Sequence, residues 1–285
     1  MNNSISGILL GILAYFLLAL GFVLQKKGIN IFSKERKLSD FILWIIGLIL
    51  ININPLVNFF ALNMVPTYVI NAISALTIVF TIILSALLLK EKIFGSDIIY
   101  IIGITIMIVA ITFNTKETTQ IMPVFKLSIF FALLPILLFF IILIYILKLN
   151  KNNSLQKSKN SGFNNFFKVI IPSATSGSMA GFMVVAMKIL QLDKGLNLNI
   201  KYFSSIYLYL FLLNGLISFI AIQIAYKNGT MIMIAPLQYG FTVLYPIIIS
   251  LFLFPLKGGF IESLNIIALA ISIFISIWGI VSKHS

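Results

Sequence analysis

Apolar residues in this chain neither alternate with a period of two nor keep to one stripe of a helix. They run on for about twenty positions at a time and break at short polar stretches. Nine such runs can be traced, at roughly 4–25, 41–63, 68–89, 97–114, 124–147, 167–190, 203–226, 231–253 and 263–281, the fourth and ninth being short. Crossing a bilayer as a helix takes ~20 apolar residues, because hydrocarbon holds no water to satisfy backbone groups. Barrel strands would show ~10-residue alternation with polar positions between, and the runs here are unbroken. The pattern predicts an all-α polytopic membrane protein of about nine transmembrane helices. The longest polar stretches are Lys26–Asp40 and Leu149–Asn165. The second, rich in Asn, Lys and Ser, has the composition of a flexible linker.

Composition agrees with this reading and removes other classes. Hydrophobic residues make up 60% of the chain and charged residues 9%, more apolar surface than a soluble domain of this size hides. There is no cysteine, which excludes disulfides and thiolate metal sites. The net charge of +13 would point to nucleic acid only if the basic residues shared one soluble face. They lie in the connections instead, where they set topology, so no nucleic-acid partner is expected. With nine spans, fourteen basic residues fall on one side of the membrane (Lys26, Lys27, Lys34, Arg36, Lys37, Lys90, Lys92, Lys148, Lys151, Lys157, Lys159, Lys168, Lys227 and Lys283). Six fall on the other (Lys116, Lys126, Lys188, Lys194, Lys201 and Lys257). The richer side is expected to be cytoplasmic, placing the N-terminus outside and the C-terminus inside, most simply in the plasma membrane. The first run has no basic segment before it and no small-residue cleavage site, so it reads as a retained span.

The chain also repeats itself. Gly7 and Gly11 in the first run are matched by Gly177 and Gly181 in the sixth, and Lys27 and Lys188 follow at their ends. Ala61–Glu91 lies over Ala225–Leu256 with about one residue of slippage, which sets Asn71-Ala72 on Ala235-Pro236. The expected division is a first four-helix repeat over 1–115, a connecting helix and linker over 116–165, and a second repeat over 166–285. One odd helix between the repeats inverts the second, an arrangement common in secondary transporters.

The stretch from Asn58-Phe-Phe-Ala-Leu-Asn-Met-Val-Pro66 through Asn71-Ala-Ile-Ser-Ala to Leu89-Lys-Glu-Lys-Ile resembles the drug/metabolite transporter superfamily. Each four-helix unit is similar to a small multidrug-resistance protomer. Gly21-Phe-Val-Leu-Gln-Lys-Lys-Gly28 and Asn58-Phe resemble the NIPA-type branch, whose members are described as magnesium transporters. The resemblance covers nearly the whole chain and implies a transporter. Two positions depart from it. Pro55 stands where the NIPA-type pattern has a glutamate, and the first run lacks the glutamate of small multidrug-resistance proteins. All seven acids, Glu35, Asp40, Glu91, Asp97, Glu117, Asp193 and Glu262, sit in connections or at span ends.

Polar groups within spans are candidates for function, because hydrocarbon penalises them unless they are partnered. At about 100° per residue, Asn71, Ser74, Thr77, Thr81 and Ser85 fall on one side of the third helix. Gln238, Thr242 and Tyr245 form a similar stripe in the eighth, and Gln223 matches Asn58 in the alignment that the family resemblance implies. The expected substrate-binding set is Asn58, Asn71, Gln223 and Gln238, with Lys27 and Lys188 at opposite ends of a path. The competing reading makes the amides interhelical glue and the lysines interfacial anchors that snorkel. The glycine pairs suit close helix packing, and Pro55 and Pro246 remove backbone donors inside spans. Lys90-Glu91-Lys92 reads as a helix end facing water, although the superfamily resemblance draws attention to Glu91. His284 is the lone histidine, and no phosphate loop, Ser-His-Asp set or acid cluster is present, so the chain lacks the parts of an enzyme and calls for no cofactor or resident metal. The residues favour a secondary transporter moving a small polar solute by alternating access. The family resemblance favours Mg²⁺, for which only loose transit of the hydrated ion past Asn and Ser oxygens fits a carboxylate-free interior. A lipid flippase or a non-transporting membrane subunit is the rival of another class. Membrane lipid is a partner in every case, and the sequence leaves the oligomeric state open.

Overall fold

In the computed structural model the described residues are 2–33, 37–62, 64, 73–114, 125–153, 161–194, 200–253, 268, 271–272, 274–276 and 278–279. Among them there are helices and no strands. Eight long helices follow one another: α1 (Asn2–Lys27), α2 (Leu38–Leu62), α3 (Leu76–Leu88), α4 (Gly95–Asn114), α5 (Phe125–Asn153), α6 (Ser161–Lys194), α7 (Ile206–Asn228) and α8 (Met231–Leu253). Short 3₁₀ turns at Ile29–Phe32 and Ile200–Ser204 lead into α2 and α7.

The first eight apolar runs each contain one of these helices, as expected of a polytopic membrane protein. The ninth is represented by scattered helical positions from 268 to 279, and the start of the third, residues 68–72, lies outside the described residues. Helix reaches into the polar stretch around residue 150 from both sides, α5 to Asn153 and α6 from Ser161. Five segments, Ile5–Lys27, Phe125–Tyr145, Lys168–Lys194, Ile206–Asn228 and Met231–Ile249, are long and apolar enough to cross a membrane. Leu38–Asn54, Leu76–Leu88 and Gly95–Met107 are shorter apolar helices. Large apolar side chains are turned outward along them, among them Leu87 at 70% exposure, Ile99 at 71% and Leu216 at 62%. Lipid, and not water, is the solvent such a surface fits.

The chain forms two compact units. One comprises Met1–Lys116, Thr230–Pro236 and Leu269–His284, the other Glu117–Gly229 and Leu237–Ala268 with Ser285. In the first unit α1 packs along α2 and against α3. Gly21 and Gly47 set the distance. A Cβ on Gly21 would stand 2.8 Å from the Gly47 carbonyl oxygen, and one on Gly47 would stand 2.6 Å from that of Gly21. Gly28 repeats the device against the Asp40 carbonyl and Trp44. Asn54, buried in α2, donates its amide to the Ala14 carbonyl of α1 at 2.8 Å. The amide glue expected of such residues is thus present at this position.

The second unit repeats the logic with other residues. Gly177 lies directly against the Gln238 carbonyl, and a Cβ on Gly181 would meet Pro246 Cδ at 2.6 Å and the Thr242 carbonyl at 2.8 Å. Ser176 of α6 and Ser218 of α7 each donate to the other's carbonyl, at 3.0 and 2.9 Å. The Tyr245 hydroxyl donates to the Phe131 carbonyl at 2.6 Å, tying α8 to α5. Phe182, Val185, Ala186, Ile189 and Leu190 of α6 fill the core with Ala132, Tyr207, Leu210 and Ile249.

These close approaches make glycine obligatory where backbone is the neighbour. Gly21→Ala or Gly177→Ala should destabilise the detergent-purified protein by about 1–3 kcal/mol, the range for overpacking a filled contact. Gly95, which has nothing within 4 Å of its virtual Cβ, should accept alanine with no loss. Thermal unfolding of the three variants checks this, and equal melting of all three would remove the glycine contacts from the account.

Candidate functional site

The end of α3 carries the most specific polar geometry in the first unit. Leu89 closes the helix with its N–H on the Ser85 carbonyl at 2.9 Å. Lys90 then takes a left-handed backbone conformation, φ 56°, the one positive-φ residue other than glycine among those described. For a side chain with a Cβ that turn costs roughly 1–2 kcal/mol. It re-aims the chain so that the half-buried Glu91 meets the start of α8. Its Oε2 accepts from the backbone N–H groups of Met231 at 2.9 Å and Ile232 at 3.3 Å, while Oε1 also accepts from Met231 at 3.0 Å. The first N–H groups of a helix have no partners inside it and sit at the positive end of its dipole, so a carboxylate there is stabilised twice. The end of α3 and the start of α8 therefore meet. Glu91 is not the water-facing helix end that its flanking lysines suggest. Asp97 does the same work locally, accepting from the Phe94 N–H at 2.9 Å at the start of α4.

The expected binding residues are distributed as follows. Asn71 lies outside the described residues, and Asn58 lies within α2 with its side chain outside them. Gln238 is half-buried in α8, its carbonyl engaged by the Thr242 hydroxyl at 2.8 Å and pressed by Gly177. Gln223 is buried in α7 at 9% exposure. Lys27 and Lys188 are both exposed. The stripe Ser173–Gly177–Gly181 is buried and spent on packing against α8, but Val184 and Lys188 further along it face outward. Asn214 of α7 is fully buried, with its amide on the Leu210 carbonyl at 2.9 Å and no partner for Oδ1.

On the α3 stripe Thr77, Thr81 and Ser85 are at 1%, 1% and 0% exposure, as the helical angles require. Ser85 donates to the Ile82 carbonyl at 2.9 Å. The hydroxyls of Thr77 and Thr81 have no partner. Sequence reasoning placed both threonines on the polar face and passed over them in favour of amides. Among the described residues no group of three His, Cys, Asp or Glu side chains comes together to ligate a bare metal ion.

A protein-family model described as "Magnesium transporter NIPA" matches residues 2–284. The chain belongs to that family. It is a membrane transporter, as the superfamily resemblance implied, with an ion as substrate and lipid as its surroundings. No curated protein and no solved structure matches the chain significantly. Among the described residues the acidic side chains, Asp40, Glu91, Asp97 and Asp193, stand at or beside helix ends.

Replacing Glu91 by alanine leaves two N–H groups of α8 uncapped and should cost about 1–2 kcal/mol. Glu91→Gln keeps an acceptor oxygen and should lose less. Melting temperatures in detergent report the order wild type, Gln, Ala; an alanine variant as stable as wild type would show that the cap is dispensable.

Proposed function

We propose that this protein carries Mg²⁺ across the plasma membrane as a hydrated ion, by alternating access and without ATP. Membership of the magnesium transporter family along residues 2–284 is the observation that carries the reading. The residues shape it. Mg²⁺ dehydrates reluctantly and demands octahedral oxygen ligands close in. The described helix interiors offer hydroxyl and amide oxygens in place of clustered carboxylates. Such oxygens suit the outer face of a hydration shell, to which the bound waters donate. Asn58, Asn71, Gln223 and Gln238 are the amides we assign to that path. Lys27 and Lys188 are exposed, and a cation would be repelled by them, so this reading makes them snorkelling anchors at the membrane interface.

Two four-helix repeats of opposite orientation, over 1–115 and 166–285, supply the moving parts in this reading. The N-terminus lies outside and the C-terminus in the cytoplasm, in keeping with the distribution of lysines. The Glu91 cap supports the count of spans. In a nine-span chain the end of the third helix and the start of the eighth both fall on the cytoplasmic side, and these are ends that meet.

Purified protein in liposomes loaded with a Mg²⁺-sensitive dye should give protein-dependent uptake that needs no nucleotide. A panel of neutral and zwitterionic solutes should give none. Uptake of such a solute in the absence of Mg²⁺ flux would replace the ion by the polar solute that the amides alone suggest.

A further inference from the structure

Threonine inside a helix has a ready partner, because its hydroxyl reaches the carbonyl four residues back. This protein uses that bond consistently. Thr105 donates to Ile101 at 2.8 Å, Thr175 to Ile171 at 2.8 Å and Thr242 to Gln238 at 2.8 Å. Thr77 and Thr81 depart from the habit. Each is at 1% exposure and neither hydroxyl has a partner. They stand one turn apart on the same face of α3, so their oxygens present together.

The second half of the chain provides an internal control. In the repeat alignment the α3 stripe falls, within a residue, on the stripe of Gln238, Thr242 and Tyr245. There the hydroxyls are spent within the protein, Thr242 on Gln238 and Tyr245 on the Phe131 carbonyl at 2.6 Å. A stripe that serves only to hold helices together has the α8 arrangement. The α3 stripe leaves two buried oxygens and two hydroxyl protons unused, which is destabilising unless something else completes them.

We propose that Thr77 and Thr81 form the contact for the hydration shell of the transported cation, within the first compact unit. The proposal rests on the Mg²⁺ reading above and assigns residues that the amide set did not include. A water bound to Mg²⁺ is a charge-assisted donor, and the Thr77 and Thr81 oxygens, which make no bond inside the protein, can accept from it. The helices packed in this unit bring little competing charge: Phe41–Leu62 of α2 and all of α3 contain neither acid nor base, α1 has none before Lys26, and α4 has only Asp97, which accepts from the Phe94 N–H at that helix's own start. The occupant must therefore bring its own solvation, which a hydrated ion does. Ser85 adds no vacant donor, being committed to Ile82, so two oxygens one turn apart define the contact.

Valine matches threonine in shape and removes only the hydroxyl. Thr77→Val and Thr81→Val should each raise the KM for Mg²⁺ uptake in liposomes by about 3- to 10-fold, the size of one net hydrogen bond. The double variant should melt no lower than wild type, since it removes two unpartnered groups. Hexaamminecobalt(III), which keeps its six donor ligands and mimics the hydrated ion, gives a readout independent of transport. It should bind detergent-purified wild type in calorimetry and bind the double variant at least several-fold more weakly. Binding that is weakened in this way would sustain the site even if liposomes showed no Mg²⁺ flux, in which case the transport reading alone falls. Wild-type KM and unchanged hexaamminecobalt(III) binding in the double variant would overturn the proposal. So would a double variant that melts well below wild type, because the hydroxyls would then be structural.

Discussion

A hydrogen-bonding group in hydrocarbon has no water to turn to, and the whole structure is arranged around that constraint. It forces the backbone into helices, and it then governs every polar side chain those helices carry. Most solve it locally, as Thr105 and Thr175 do against the preceding turn. Others solve it across a helix pair, as Asn54 does on Ala14 and Ser176 and Ser218 do on one another. Such bonds need backbones close together; Gly21 and Gly47 permit that approach between α1 and α2, and Gly177 and Gly181 bring α6 equally close to α8. Glycine contact and polar satisfaction are two parts of one solution.

Against that background the exceptions carry information. An unmade hydrogen bond on a buried group costs about 1–3 kcal/mol, so among the described residues the Thr77, Thr81 and Ser205 hydroxyls and the Asn214 carbonyl oxygen are expensive. Glu91 is the opposite case, with a strained Lys90 turn offset by a carboxylate that caps a helix 140 positions away. In the proposed reading, described acids that stand at helix ends leave the path of the ion to neutral oxygens. A strongly hydrated ion can slide past neutral oxygens, whereas a carboxylate cage would hold it.

Helix positions were legible because runs of twenty apolar residues admit one structure in lipid. The buried face of α3 was legible from angles alone, and Thr77, Thr81 and Ser85 lie on it. Three things were not. Gly47 gives no sign in sequence that it faces Gly21, since α1 and α2 meet through a register that no local pattern encodes. The α8 N-terminus as partner of Glu91 is equally invisible, and the flanking lysines argued for water. The preference for amides over threonines followed from counting hydrogen-bonding groups per residue, whereas the deciding property is whether a neighbour has already used them. That is a property of packing.

The central claim is that the ion crosses with its water shell in place, met by neutral oxygens. An experimental structure of the protein in lipid with Mg²⁺ bound measures this directly through the distances from the ion to protein oxygens. The account predicts a complete shell of waters and the Thr77 and Thr81 oxygens roughly 4 Å from the ion, one water away. A protein carboxylate bonded directly to the ion at about 2.1 Å would contradict it.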